Sequence, residues 1–431
     1  MSTQNTHKRR SSLVFVLHAS LAAFGTYFCM YAFRKPFTVA TFDGLAYFGV
    51  DYKILLIIAQ VLGYALSKFI GIKVISELKP NRRLLLLISL IFLAEMALIG
   101  FATLPAPYNI IFMFLNGIPL GMVWGIVFSY VEGRRFTDVL GVILCASFIV
   151  SSGVVKSVGL YVMNNWGVSE LWMPSVTGAL FVLPLLLSSY FLQRVPPPTA
   201  LDMEQRTERV PMTKQDRKAL VKKFFFPLLL VVIFYTFLTA FRDFRDNFAR
   251  ELWDSMGYQG DISVFSTSEI IIAIIVLLII GSIFYVKDNF RALLTYHLLL
   301  ILGTVVLGVS TLMFQMGLMN PFVWMVCTGF GLYICYVPFN CLFFDRFIAA
   351  FKIKGNSGFL IYIADAFGYV GSVLVLLYKN FGQANLSWLN FFVYGTYAVA
   401  VIGICISVVL FVHFGARYKS EKLNQELDYG Q

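Results

Sequence analysis

RVPPPTALDMEQRTERVPMTKQDRKALVKK, residues 194–223, is the one long polar stretch in an otherwise apolar chain. It opens on Pro196-Pro197-Pro198 and mixes both charge signs, so it has little to bury and reads as a linker. On either side the sequence returns to long apolar windows. Six precede the linker, near 13–35, 54–76, 84–104, 109–131, 139–163 and 171–193. Six follow it, near 224–249, 265–286, 292–314, 322–344, 357–378 and 388–414. Each supplies the roughly 20 apolar residues that a helix needs to cross the hydrocarbon core of a bilayer. The predicted fold is therefore an all-α polytopic membrane protein of 12 transmembrane helices in two six-helix halves, 1–193 and 224–431, the second ending in a short cytoplasmic tail.

Composition agrees, with 59% hydrophobic and only 13% charged residues. The formal charge of +11 does not follow one amphipathic face, which argues against a nucleic-acid partner. It gathers in short runs: His7-Lys8-Arg9-Arg10, Lys79/Arg82/Arg83, Arg134/Arg135, the linker, Lys287/Arg291, Arg346/Lys352/Lys354 and Arg417/Lys419/Lys422. These alternate with basic-poor loops around Pro105-Ala106-Pro107, Asn164-Asn165-Trp166 and Asn320-Pro321. The positive-inside rule then puts both termini in the cytoplasm, with a plasma (bacterial inner) membrane the expected location and lipid the surrounding partner. The first window follows a basic run as a signal peptide does, but it is too long and lacks a small-x-small cleavage site, so it is expected to stay as a helix.

All six cysteines fall inside apolar windows without a CxxC pair, and His18, His297 and His413 have no companion ligands at metal spacing. No metal or cofactor is expected. No Ser/His pair or acidic dyad with a base stands at helical spacing either, which argues against an enzyme.

Ionisable residues inside spans are costly and normally face an interior or a watery path. Here they are Arg34, Lys35, Lys68, Glu95, Lys156, Arg242, Asp243, Arg245, Asp246, Glu269 and Asp365. Arg34 and Arg242 stand at matching depths in the first helix of each half. Two guanidiniums from two halves offer planar forks for a phosphate or carboxylate, which points to a small anionic substrate. Two plainer readings stay open. Arg34 ends its helix and snorkels to water, or, with Tyr27 and Tyr31 along the same face, it belongs to a longer helix with a polar stripe. Arg242, Asp246 and Arg250, at i, i+4 and i+8, also fit an intrahelical ion ladder. Depth counting places Lys35, Asp246 and Glu269 together in the outer third, where Lys35 is expected to pair with a carboxylate of the opposite half. The same count sets Lys68 and Asp365 at one level near the cytoplasmic side, as an inner contact between halves. Glu95, at the centre of span 3, has no evident role.

Several segments resemble the organophosphate:phosphate antiporters of the major facilitator superfamily, the group that includes glycerol-3-phosphate and hexose-6-phosphate transporters. They are Tyr27-x3-Tyr31-Ala-Phe-Arg34-Lys35-Pro-Phe37, Gly63-Tyr-Ala-Leu-Ser67-Lys68-Phe69 and Asn116-Gly117-x3-Gly121-Met122-x-Trp124 in the first half. In the second half they are Arg242-x3-Asp246-Asn247-Phe248, Glu269, and Phe367-Gly368-Tyr369-x-Gly371. The resemblance implies the major facilitator fold and a phosphate group bound by Arg34 and Arg242. It also implies a site lined by Tyr27, Tyr31 and Tyr369 and assisted by Lys35. The sequence departs from that family in span 5, where Cys145-Ala-Ser147 and Lys156 replace a His near the pocket. It departs again in the loop Ser76-Glu77-Leu78-Lys79-Pro80-Asn81-Arg82, whose acidic switch is weakened.

The expected function is a secondary active transporter of a small organic phosphate or phosphate by alternating access, with Lys68, Asp246, Glu269, Asp365 and Lys156 in coupling or gating, in a monomer. A proton-coupled symporter of another organic anion, or a non-transporting receptor on the same fold, are the alternatives.

Overall fold

The computed structural model describes residues 2–76, 78–131, 137–197, 214–353 and 357–429. Residues 198–213 of the expected linker, Glu77 of the weakened gate loop, and Arg134, Arg135 and Lys354 of the basic runs lie outside the described residues. The linker's end, Lys214–Lys223, forms a helix.

A chain in lipid must satisfy its backbone internally, and helices do so within one segment. Spans 1 to 6 are the helices Ser2–Met30, Tyr52–Ser76, Arg83–Thr103, Ile110–Val131, Thr137–Trp166 and Met173–Gln193. Spans 7 to 12 are Phe225–Asn247, Ser263–Ser282, Asn289–Gln315, Pro321–Cys341, Ser357–Leu377 and Trp388–Tyr429. Among the described residues, 11 helical segments are long and apolar enough to cross a membrane. The remaining expected span, the eleventh, is helix Ser357–Leu377, 21 residues long.

Span 1 does not form the longer striped helix. Its α-helix stops at Met30, a 3₁₀ turn covers Tyr31–Phe33, and a second covers Pro36–Val39. Pro36 has no N–H for a continuing ladder. The carbonyls released by the break find side-chain donors on spans 2 and 4. Asn116 Nδ2 donates to Phe33 O at 3.0 Å and to Ala94 O at 3.1 Å. Gln60 Nε2 donates to Arg34 O at 3.0 Å and to Asn116 Oδ1 at 2.9 Å. Span 7 also breaks, at Phe248, before the short helix Ala249–Ser255.

The chain folds into two compact units. The first holds Met1–Arg206, Arg245–Leu277 and Leu376–Leu389; the second holds Thr207–Phe244, Leu278–Val375 and Asn390–Gln431. The end of span 7 from Arg245, most of span 8, the last residues of span 11 and the first of span 12 thus belong with the first six spans.

Small residues draw helices together where no hydrophobic force separates helix from lipid. In the first unit, spans 2 and 4 cross backbone to backbone. A Cβ on Gly63 would stand 2.1 Å from Phe114 O, and one on Gly117 would stand 2.3 Å from Gln60 O. The Asn116-Gly117 motif therefore serves two ends: glycine lets the spans meet, and asparagine holds the break in span 1. In the second unit Gly303 and Gly331 do the same for spans 9 and 10, each under 3 Å from the other's carbonyl if given a Cβ. Buried Trp324 completes that core, stacked on Phe314 and donating Nε1–H to Thr311 Oγ1 at 3.1 Å.

Candidate functional site

The first unit carries a buried ion network at the end of the spans remote from the linker. Asp246, in the last turn of span 7, is its centre. One carboxylate oxygen accepts from Lys156 of span 5 and from the Ser152 hydroxyl, and the other is ion-paired with Lys35. Lys156 also donates to Asp246 O at 2.6 Å, and Lys35 to Asn247 Oδ1 at 2.8 Å. Both lysines are at most 5% exposed. Beside them Arg245 Nη1 donates to Glu269 Oε1 at 2.6 Å. Glu269 reaches this place because Gly153 lets spans 5 and 8 touch; a Cβ there would lie 2.2 Å from Phe265 O.

A second pair closes the same end. Lys53, at the start of span 2 and 1% exposed, is paired with Glu251 of the Ala249–Ser255 helix. Its Nζ lies 5.4 Å from the Phe248 ring, which stacks on Trp388 at 4.2 Å, and Lys379 Nζ lies 4.7 Å over that indole. Burial pushes the Glu251 carboxyl above the ordinary carboxylate value, against the pull of Lys53. In these pairs four cations, Lys35, Lys53, Lys156 and Arg245, face three carboxylates, Asp246, Glu251 and Glu269. Removing one member of such a buried set strands its partners, whereas hydration of all of them together does not. That asymmetry suits a gate: stable when closed, and openable to water as a whole.

Arg34 in the first unit and Arg242 in the second each lie against aromatic rings. In the first, Arg34 Cζ lies 4.1 Å from the Tyr64 centroid and 5.7 Å from that of Tyr31, with Tyr27 edge-on to Tyr31 at 5.5 Å. Lys68 Nζ lies 5.4 Å from the same Tyr64 centroid and 5.8 Å from that of Trp124. In the second, Arg242 Cζ lies 3.8 Å from the Tyr336 centroid, and its Nη2 donates to Asp243 at 2.6 Å. The other oxygen of Asp243 accepts from Ser372 at 2.9 Å, while Tyr235 stacks on Tyr336 and donates to Asp365 at 2.6 Å. A guanidinium over a ring has its face desolvated, while its edge N–H groups point away from the ring and can donate to oxyanions.

A model of DUF5690, a family of unknown function, matches residues 36–417. The chain belongs to the DUF5690 family. No curated protein matches it. Among solved structures, the DUF5690 chain is similar to a D-xylose-proton symporter, with TM-score 0.59 and 14% identity over 92% of this chain and 96% of that one. It is similar also to the nucleoside transporter NupG, with TM-score 0.59 and 14% identity over 94% of this chain and 99% of that one. At these identities the likeness establishes the shared fold, that of the major facilitator superfamily, and nothing about the solute.

Within the first unit of this DUF5690 protein the fold brings together Lys35, Asp246, Lys156, Arg245 and Glu269. Lys35 meets Asp246, and Glu269 is held by Arg245 instead. The ladder of Arg242, Asp246 and Arg250 does not form. Arg242 turns to Asp243, Asp246 to the two lysines, and Arg250, past the break at Phe248, to Asp254 at 2.5 Å. Lys68 is described among the first unit's aromatics and Asp365 beside Tyr235 in the second. Tyr369 is half-buried on span 11, three residues before Ser372. Sequence reasoning missed Lys53 and Glu251, because Lys53 falls one residue before its apolar window and looks like a loop charge. It also missed Ser152, Tyr64, Tyr235 and Tyr336, whose roles depend on helix rotation.

Proposed function

We propose that this DUF5690 protein is a secondary active transporter that moves a small organic anion by alternating access, with the Asp246 network as its outer gate. The observation that carries this is the burial of one carboxylate between two lysines from spans 1 and 5. A closed, charge-rich seam with two lysines on one carboxylate is poised to be competed for by an anion and to open as a unit. Both termini and the linker lie on the cytoplasmic side in this reading, so the network faces out.

Arg34 with its tyrosines, and Arg242 over Tyr336, are the proposed anion-recognising groups, and a phosphate monoester the preferred solute. Planar, bidentate donors held on rings favour tetrahedral or planar oxyanions over neutral hydroxyls. A neutral polyhydroxylated solute is the second reading. It is favoured by the aromatic lining at Tyr27, Tyr31 and Tyr64, and by the sugar and nucleoside named for the two similar structures.

A thermal-shift panel on the purified protein separates the two. A bound solute at a hundredfold excess over its Kd adds about 2.7 kcal/mol to stability. Glycerol phosphate or hexose phosphate is expected to raise the melting midpoint of the wild type and not of Arg34→Gln. Stabilisation by D-xylose or uridine alone, unchanged in Arg34→Gln, overturns the anion assignment.

A further inference from the structure

Glu95, in the middle of span 3, takes no part in the gate. Its Oε1 accepts from the Ser175 hydroxyl of span 6 at 2.5 Å, and its buried Oε2 has no hydrogen-bond partner among the described residues. The carboxyl sits in a notch over Gly178. A Cβ there would stand 2.5 Å from Glu95 Oε2 and 3.0 Å from the Phe33 ring. One notch therefore seats both the carboxyl and the residue just before Arg34.

A single hydroxyl is poor solvation for an ionised carboxylate at mid-span, but it suits a neutral acid. The titratable and charged groups on the elements packed against Glu95 have other partners or are exposed. On span 3 and the turn before it, Arg83 donates to Ser129 O and lies over Tyr130 of span 4, and Arg82 is exposed. On span 6, Tyr190 accepts from Arg194. At the span 1 break, Tyr31 meets Tyr27 edge-on and Arg34 lies over Tyr64.

Two routes connect this carboxyl to the break. One is steric, through the shared Gly178 notch. The other is hydrogen-bonded: Asn116 holds Ala94 O, next to Glu95, and Phe33 O with the same amide, and Gln60 carries the chain on to Arg34 O.

We propose that Glu95 is a proton-binding site that sets the conformation of the span 1 turn bearing Arg34 and Lys35, and so links solute movement to protons. The linkage to solute rests on the transport reading; the proton site itself does not. In the binding step a hydronium ion gives its proton to Oε2, an O–H bond forms and a water molecule leaves; release reverses it. The neutral acid stays in the notch. The carboxylate is expelled from beside Phe33 and Gly178 and drawn toward Arg34, the next cation along span 1, which loosens that guanidinium from Tyr64.

The test is infrared difference spectroscopy of the reconstituted protein, titrated between about pH 5 and pH 9, with hydrogen exchange of residues 31–39 followed on the same samples. Glu95→Gln keeps the side-chain volume and an acceptor for Ser175 but cannot titrate. Expected is a protonated-carboxyl band that disappears on titration in the wild type and is missing from the variant. Exchange at the turn rises about tenfold or more as the band is lost, and stays at the protected level in Glu95→Gln. An unchanged band in the variant, or the same pH-dependent exchange in both proteins, overturns the proposal.

The linkage is tested in proteoliposomes loaded with a pH-sensitive dye and given glycerol phosphate, D-xylose or uridine in turn. The wild type is expected to acidify the lumen with whichever probe it carries, and Glu95→Gln to carry that probe without acidification. Equal acidification by both sinks the linkage. If neither protein moves any probe, the transport reading fails, and the infrared titration still decides the proton site.

Discussion

Asp246→Asn is the substitution from which the structure predicts most. The carboxylate is a counter-charge shared by Lys35 and Lys156, both buried, and the amide that replaces it is nearly isosteric. What changes is that two buried ammonium groups lose the carboxylate they share. Breaking a buried pair in this way costs about 3–5 kcal/mol. In an open gate both lysines are hydrated and the cost vanishes, so the closed conformation loses that amount relative to the open one. At 1.4 kcal/mol per factor of ten, the open fraction rises about 10²- to 4 × 10³-fold until it saturates. A reporter cysteine at Leu252, fully buried on the Ala249–Ser255 helix, in a background without the native cysteines, reads that fraction through its rate of maleimide labelling. Labelling is expected to accelerate by that factor in Asp246→Asn. Adding Lys35→Met and Lys156→Met should restore protection, because apolar replacement of a whole buried ion set is close to neutral. A folded Asp246→Asn protein that labels at the parental rate refutes the reasoning.

Other substitutions test separate parts of the account. Gly117→Ala places a Cβ 2.3 Å from Gln60 O, so spans 2 and 4 must part; a loss of about 1–3 kcal/mol is expected in thermal unfolding in detergent. Lys53→Met strands Glu251, whose carboxyl burial already holds above its ordinary value. Such a group binds its proton more tightly in the folded chain, so it favours folding at low pH and opposes it increasingly as pH rises. The melting midpoint of Lys53→Met is therefore expected to fall more steeply than that of the wild type between about pH 5 and pH 8. Asn116→Ala leaves Phe33 O and Ala94 O without their shared donor, and faster hydrogen exchange over residues 31–39 is the expected result.

The spans were legible because length and apolarity are properties of the local sequence, and the linker at 194–223 divides them visibly. The break in span 1 was half legible. Pro36 signals an interruption, but whether the chain tolerates one at Tyr31 depends on Asn116 and Gln60, which arrive from spans 4 and 2. Depth counting puts Lys35, Asp246 and Glu269 at one level. It says nothing of rotation, and rotation is what gives Glu269 to Arg245 and Asp246 to two lysines. Lys53 and Glu251 were hidden because each lies just past a span end, where a charge is ordinarily solvated; here the packing of the Ala249–Ser255 helix buries both. Glu95 was conspicuous without being interpretable, since neither Ser175 nor the Gly178 notch can be assigned to it without the fold.

The central claim is that the chain cycles a small anion across a membrane through the Asp246 gate. Saturable uptake of labelled glycerol phosphate or hexose phosphate by purified protein in proteoliposomes measures it most directly. The account predicts time-dependent accumulation by the wild type and loss of it in Lys156→Met, whose partner Asp246 is left half-compensated. Binding of the label without saturable flux, or flux of equal rate in Lys156→Met, contradicts it.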